Sequence, residues 1–467
     1  MVRMSAGRLA ELVDGAVVHG SPETVFAGAV IDSRQVVPGC AFVAFGGQNV
    51  DGARFVPAAV KAGARVVLVT HWDEAAVAAL GDAPVAVVVA ADAAEALRAM
   101  AAHHRSRLRC PVVGITGSTG KTTTKDFLAA VLSTTMRVVA TSGNQNNELG
   151  VPLTILEASG DTDVLVVEMG MRGPGQLEEL CSVARPTLGL VTNIGQTHVE
   201  ILGSQDAIAK AKGELVACIP AEGAVFLNGD DDWSRSLAAR SVASVTWYGL
   251  GPGVDVRADE IEVDDAGRPT LTLRTCDGSV RFKLPVPGRH NAYTAAAAAS
   301  VALHLGVSLE RIAEGLAAVR TSDMRMEVFT AANGVTVVND AYNASPTSMR
   351  AAVATLADMS TGGLRVAVLG DMAELGSLTE LAHFRLGEQV AAAGIDVLVT
   401  VGERARRIAE AARAAGMAAS SVRECATAEE ATEVLDDLLA ADDLVLVKAS
   451  RVMNLERVVE GILRPHA

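Results

Sequence analysis

The chain alternates short apolar runs with polar turns, and the period of that alternation changes along its length. Up to about residue 108, "GAVIDSRQVVPGCAFVAF", "FVPAAVKAGARVVLVT" and "APVAVVVAADAAEALRAMAAHH" read as small α/β units. The run "PVVGIT" then predicts a buried strand leading through a glycine-rich loop into a helix that begins near Lys121. "DVLVVEMG" and "PTLGLVTNIG" repeat the strand signal at the spacing of βα units. From about 243 to 286 the pattern becomes alternating ("VRADEIEVDD", "LTLRTCDGSVRFKLPV"), which predicts antiparallel strands, and a helix from Asn291 to about Leu305 follows. Near residue 322 the pattern restarts. "VTVVNDAY", "LRVAVLGDM", "DVLVTVGE" and "DLVLVKAS" predict strands of a second doubly wound sheet, whose C-terminal strand ends would line a ligand crevice.

The joins "RLRCP" and "RTSDM" divide the chain into 1–108, 109–321 and 322–467. The expected fold class is α/β with three domains: a small α/β N-terminal domain, a central parallel-sheet domain of P-loop type and a C-terminal Rossmann-like domain. A length of 467 residues agrees with that number at about 150 residues per domain. Half of the residues are hydrophobic but only 3% aromatic, so the cores must rest on Ala, Val, Leu and Ile. A formal charge of -15 argues against broad affinity for nucleic acid or anionic membrane, while leaving room for a local basic pocket. Cys40, Cys110, Cys181, Cys218, Cys276 and Cys425 show no metal-ligand spacing and are expected to be reduced thiols. Glu11 and Asp14 interrupt the N-terminal apolar stretch, and no uncharged run approaches the length of roughly 20 residues that spans a bilayer. A cytoplasmic protein without membrane insertion is expected.

The segment "GITGSTGKTTTKD" carries the most specific chemistry. The usual phosphate-loop pattern requires glycine at position 115, where this chain has Ile115. Gly117, Ser118, Thr119, Gly120, Lys121, Thr122 and Thr123 remain, between a strand and a helix. Backbone N–H groups there can converge on phosphate, Lys121 can neutralise its charge, and Thr122 can ligate Mg²⁺. A plain glycine turn opening a helix is the weaker reading.

Glu168 ends a buried strand, where a carboxylate needs a cation or a donor. His198 and Glu200 follow the next strand, and with Thr122 and Glu168 these four groups would surround one crevice suited to a metal. The amides Asn144, Gln145, Asn146 and Asn147 either cap a helix or donate to substrate oxygens. Lys210 and Lys212 lie on a helix whose simplest reading is an exposed basic face. His290 and Asn291 stand at a helix start, and Asn339, Asp340, Tyr342 and Asn343 at a strand end, where Asn and Asp also favour turns. Asp371 is a crevice residue or an N-cap. Lys448 and Arg451 are expected at the crevice, or as paired surface charges.

"GITGSTGKTT", "VVEMGMRGPGQ", "VTNIGQTHVE", "PGRHNAYTAAAA" and "VVNDAYNASPTSM" resemble, in order and over nearly the whole chain, the Mur ligases of peptidoglycan synthesis. The shortened phosphate loop is that family's form. "IDSRQVVPGCAFVAF", "NQNNELGVPLTIL" and "LGDMAELG" point to the branch that adds D-alanyl-D-alanine to UDP-N-acetylmuramoyl-tripeptide. The resemblance implies an ATP- and Mg²⁺-dependent ligase that works through an acyl phosphate, as a monomer. It implies Lys121 on the phosphates, Thr122, Glu168 and His198 at magnesium, and Arg325 approaching the phosphates from the third domain. Asn291, Asn339 and Tyr342 would lie near adenine or ribose, and Ser33 and Arg34 at the uridine nucleotide. Asn146, Asn147, Asp371, Lys448 and Arg451 are the remaining candidates for substrate contact.

Lys212 matches a position that several Mur ligases carbamylate. The chain departs from the family in two places. Thr294 stands where a second asparagine is usual, and "KASR" replaces K-G-S-R. An alanine at position 449 would be strained if that residue needed positive φ. A sister ligase, a folylpolyglutamate synthase and a nucleotide-dependent switch are the competing readings.

Overall fold

The computed structural model describes residues 1–46, 51–72, 80 and 83–464. Residues 465–467 of the expected third domain lie outside the described residues. The chain falls into two compact units, one of Met1–Gly114, Met136–Gly170 and Gln176–Leu188, the other of Ile115–Thr135, Met171–Gly175 and Gly189–Ala467.

In the first unit, "VVLV" at Val66–Val69 is buried at every position, as a strand covered on both faces must be. It pairs in parallel with Ala41–Val43 on one side and Ala86–Val89 on the other. Ala29–Val30 and the antiparallel strand Ala16–His19 complete a five-stranded sheet as its edges. The helix Ala93–Arg105 is opened by Asp92, whose carboxylate accepts the Glu95 N–H at 2.8 Å. Its last residue, the buried Arg105, donates to the carbonyls of Ala184 (2.8 Å), Leu108 (3.0 Å) and Arg185 (3.2 Å). A cation at the carbonyl end of the helix Gln176–Ala184 is favoured by the helix dipole. The strand Val164–Glu168 pairs in parallel with Val138–Ala140.

In the second unit, the helices Lys121–Leu132, Asn291–His304 and Leu309–Ala317 pack together. Gly315 allows the closest approach: a Cβ there would stand 2.5 Å from the Cα of Val131. The stretch expected to be antiparallel is mixed. Ser244–Gly249 pairs in parallel with both Ala224–Asn228 and Val256–Val263, and Pro269–Thr275 and Gly278–Lys283 then add antiparallel strands. The parallel overlap with Val256–Val263 covers only Tyr248↔Val256 and Gly249↔Arg257, too short to mark the alternation pattern.

The last sheet of this unit has the order Glu327–Thr330, Thr336–Asn339, Leu444–Lys448, Arg365–Gly370, Val397–Val401, Val422–Cys425. Its first strand is antiparallel and the others parallel. The four central strands are those expected from the sequence. The two edge strands were missed because they are half exposed and carry no apolar run.

The "KASR" departure is absorbed without backbone strain, because Ala449 is not among the residues with positive φ. Its methyl group is buried and fills the space left by Gly370, where a Cβ would stand 2.7 Å from the Ala449 Cβ. Gly370→Ala should therefore destabilise the protein by about 1–3 kcal/mol through overpacking. Ala449→Gly added to it should return part of the loss in a denaturation experiment; strictly additive losses would show that the two positions are not coupled.

Candidate active site

The strand Val112–Thr116 is buried throughout and delivers the chain into the phosphate loop. Gly117 (φ 148°) and Gly120 (φ 78°) take conformations that side chains disfavour. At Gly117 space is also lacking, since a Cβ would stand 1.8 Å from the Thr192 hydroxyl.

That hydroxyl donates to the Thr119 carbonyl at 2.6 Å. Asn193 fastens the loop further: its carbonyl accepts from Ser118 N–H (2.9 Å), its Oδ1 from the N–H and hydroxyl of Thr119 (3.2 and 3.1 Å), and its Nδ2 donates to the Thr119 carbonyl (3.1 Å). The Ser118 hydroxyl accepts the Gly195 N–H at 2.8 Å. The loop is pinned in this way at the start of the helix Lys121–Leu132, and the first N–H groups of a helix suit an anion. Thr122 in that turn is buried, and Thr123 follows it.

Lys121 Nζ donates to the Gly117 carbonyl at 2.9 Å, and Lys212 Nζ to the same oxygen at 3.0 Å. Burial first, and the Lys121 charge second, push the Lys212 ammonium well below its ordinary pKa. Lys212 is thus a core amine at the phosphate loop and not part of an exposed basic face; Lys210, on the same helix, is the exposed one and pairs with Asp206.

His198 has left-handed backbone (φ 62°), and its Nδ1 lies 2.6 Å from Glu374 Oε2, close but out of line for a hydrogen bond. Burial holds the imidazole below its ordinary pKa, against the opposing pull of Glu374. Glu374 is itself left-handed (φ 61°) and belongs to the "LGDMAELG" loop. That loop is held by Asp371 Oδ1, which accepts the Ala405 N–H (2.8 Å), by Ser450 Oγ, which accepts the Ala373 N–H (2.8 Å), and by His383 Nε2, which accepts the Met372 N–H (3.0 Å). Asp371 therefore braces its own loop in this arrangement.

In the first unit, Glu168 is buried at its strand end. Its N–H donates to Thr141 Oγ1 (3.0 Å) and its Oε1 accepts from Asn146 Nδ2 (2.7 Å), while Oε2 is buried without a hydrogen-bond partner. A buried carboxylate oxygen left in that state calls for a cation. Magnesium binds through one or two carboxylates together with phosphate oxygens and water, so a single orphaned carboxylate oxygen fits it. Among the described residues no group of three His, Cys, Asp or Glu could hold a metal by itself.

The other candidates divide by what their side chains already do. Asn147 Oδ1 accepts the N–H groups of Leu149 (3.3 Å) and Gly150 (3.0 Å) just before the helix Gly150–Glu157, whose N-cap residue is Leu149, while Asn146 donates to Glu168. Asn291 donates to the Pro287 carbonyl (2.8 Å), and Asn339 accepts the Ala341 N–H (3.2 Å). Arg325 lies over the ring of Tyr342, 4.2 Å from its centroid. Ser33 and Arg34 stand in one turn, where the exposed Arg34 guanidinium donates to Asp32.

Lys448 is likewise engaged by its neighbours. It is buried and donates to Asp340 Oδ2 (2.6 Å), the Asn343 carbonyl (2.9 Å) and the Asp340 carbonyl (3.4 Å), so its three protons are engaged within the strand-end turn. Arg451 is half exposed and pairs with Glu456 at 2.7 Å. Sequence reasoning missed Thr192, Asn193 and Glu374. Thr192 and Asn193 stand inside the quoted "VTNIG", but nothing in that run shows that their partners lie in the phosphate loop.

Family models match three stretches: "Mur ligase family, catalytic domain" over 26–105, "Mur ligase middle domain" over 115–302 and "Mur ligase, glutamate ligase domain" over 324–451. A UDP-N-acetylmuramoyl-tripeptide D-alanyl-D-alanine ligase of Bacillus subtilis (strain 168) is 34% identical over 466 residues, covering 99% of each chain. A crystal structure of MurF from Acinetobacter baumannii superposes with a TM-score of 0.85 at 31% identity, covering 99% of each chain. The MurF ligase of Thermotoga maritima in complex with ADP gives a TM-score of 0.78 at 27% identity, covering 93% of this chain and 97% of that one. The pinned phosphate loop, the orphaned carboxylate and these full-length matches agree, and the chain belongs to the Mur ligase family, with its three-domain α/β fold.

Proposed function

We infer that the chain is an ATP-dependent ligase that joins D-alanyl-D-alanine to UDP-N-acetylmuramoyl-tripeptide, forming the pentapeptide precursor of peptidoglycan. The observation that carries this reading is the end-to-end similarity to ligases of that name, which extends over the N-terminal domain as well as the ATPase core. The domains are assigned as 1–108 for the UDP-substrate, 109–321 for ATP and 322–467 for closure over the nucleotide; the spacing of the three family matches supports these limits. The enzyme is taken to act as a cytoplasmic monomer. Among the described residues no helix is long and apolar enough to cross a membrane.

In the first step, a carboxylate oxygen of the tripeptide attacks the γ-phosphorus of ATP; the new O–P bond gives an acyl phosphate, and the bond to ADP breaks. In the second, the amine of D-alanyl-D-alanine adds to the acyl carbon, giving a tetrahedral intermediate. That intermediate expels phosphate, and the amine loses its proton. Neither step needs a covalent nucleophile from the protein, so catalysis rests on position and charge.

Lys121 and the N–H groups of Gly120, Thr122 and Thr123 would hold the phosphates, with Ser118 and Thr119 keeping the loop closed. Thr122, Glu168 and His198 would hold magnesium, which when bound offsets phosphate charge. Arg325 would reach the phosphates, and Asn291, Asn339 and Tyr342 would frame the nucleoside. Ser33 and Arg34 are proposed at the uridine nucleotide. Asn146, Asn147, Asp371, Lys448 and Arg451 are proposed around the peptide substrates, and their present bonds favour support for Asn146, Asn147, Asp371 and Lys448. The buried amine of Lys212, which burial pushes well below its ordinary pKa, suits the carbamylation of several Mur ligases at the matching position.

Lys121→Ala and Glu168→Ala should each lower phosphate release with both substrates by at least about 100-fold. Unchanged release from either variant would overturn these assignments. Asn146→Ala removes the donor that fixes Glu168 and should raise the magnesium concentration needed for half-maximal rate by about 10–100-fold; an unchanged requirement would show that Glu168 does not depend on Asn146.

A further inference from the structure

The helix that opens with Lys121 carries a second buried ionic group one turn further on. Asp126 Oδ2 accepts the Ser322 N–H at 2.7 Å and Oδ1 accepts the Ser322 hydroxyl at 3.1 Å. Lys125 Nζ lies 2.7 Å from Asp126 Oδ1, with side-chain exposures of 5% for Lys125 and 10% for Asp126. A carboxylate this enclosed forms strong, directional bonds, and both hydrogen bonds here go to one residue far along the chain.

Ser322 lies in the link between the helix Leu309–Ala317 and the strand Glu327–Thr330. Within that link, Arg325 stands between two residues in left-handed conformation, Met324 (φ 58°) and Met326 (φ 53°). Such backbone at an unbranched, bulky residue persists only where the surroundings over-determine it. The surroundings here are specific. Thr321 Oγ1 donates to the Arg325 carbonyl (3.2 Å), Met324 N–H to Glu327 Oε2 (3.2 Å) and Met326 N–H to Asp340 Oδ1 (3.3 Å), while the Met324 carbonyl accepts from Tyr342 N–H (3.3 Å). Those four bonds lie within 321–342. The bonds from Asp126 tie the same link to the phosphate-loop helix.

We propose that Asp126 is a positioning residue for Arg325: through Ser322 it fixes the strained link to the phosphate-loop helix, and so holds the Arg325 guanidinium in register with the nucleotide phosphates. The inference rests on the ligase reading in placing Arg325 at the phosphates. The link is strained on both sides of one arginine and anchored to the helix that binds the anion, which is what a device for delivering that arginine requires.

The test is a double-mutant cycle with Asp126→Asn and Arg325→Ala, read by kcat, by KM for each substrate and by ADP affinity. Asp126→Asn keeps one acceptor and the side-chain shape, and its melting temperature is recorded alongside. In the otherwise native enzyme it should lower kcat and ADP affinity by roughly tenfold, with KM for D-alanyl-D-alanine unchanged; in the Arg325→Ala enzyme it should change both by less than about twofold. Ser322→Ala should give a smaller loss in the same direction. Equal losses in both backgrounds, or a lower melting temperature with unchanged kcat and ADP affinity, would overturn the proposal. If the native enzyme forms no ligation product, the functional reading has failed; the cycle on ADP affinity then still decides the proposal, and additive or absent effects overturn it.

Discussion

The site depends on how closely the phosphate loop lies against the "VTNIG" turn. Thr192 occupies the space that any side chain at position 117 would need, and Asn193 satisfies both the N–H and the carbonyl of Thr119. With the loop pinned there, the Gly117 carbonyl becomes the common acceptor of Lys121 and Lys212. Two ammonium groups on one oxygen repel each other, and the buried one loses charge more readily. An arriving polyphosphate would relieve that repulsion by drawing Lys121 away. The loop therefore gathers two amines on one carbonyl at the start of a helix, an arrangement that suits an anion.

The same principle recurs at the strand ends. Glu168 is held by Asn146 through one oxygen and leaves the other without a partner, whereas Lys448 has every proton engaged by Asp340 and Asn343. An incompletely satisfied buried charge marks a place for a ligand, and a completely satisfied one marks a support. Glu168 thus keeps one oxygen open to a further partner, and Lys448 braces the turn that carries Asn339 and Tyr342.

Much of this architecture was legible in the chain. The apolar runs that open Val112–Thr116, Val164–Glu168 and Leu444–Lys448, each broken only by its last residue, announced buried parallel strands, because strands covered on both faces have little room for polar residues. The loop with Gly117 and Gly120 announced a strand–turn–helix with glycines at positive φ, the context that a phosphate-loop reading requires. The edges Glu327–Thr330 and Val422–Cys425 were not legible, since half-exposed strands lack a continuous signal. Nor were the partners of buried charges. Asp126 and Ser322 are separated by 196 positions, and only the fold brings them together. The partners of Lys448 were hidden for the same reason: its sequence position shows a strand end, not that Asp340 and Asn343 meet its ammonium.

The central claim is that ATP cleavage here serves to activate a carboxylate for attack by a dipeptide amine. The most direct measurement is phosphate release from ATP and Mg²⁺ with UDP-N-acetylmuramoyl-tripeptide, with and without D-alanyl-D-alanine, combined with the mass of the product. The account predicts sustained release only when both substrates are present, and a product heavier by one D-alanyl-D-alanine unit less water. Sustained release that ignores D-alanyl-D-alanine, or a product carrying a different amine, would contradict it.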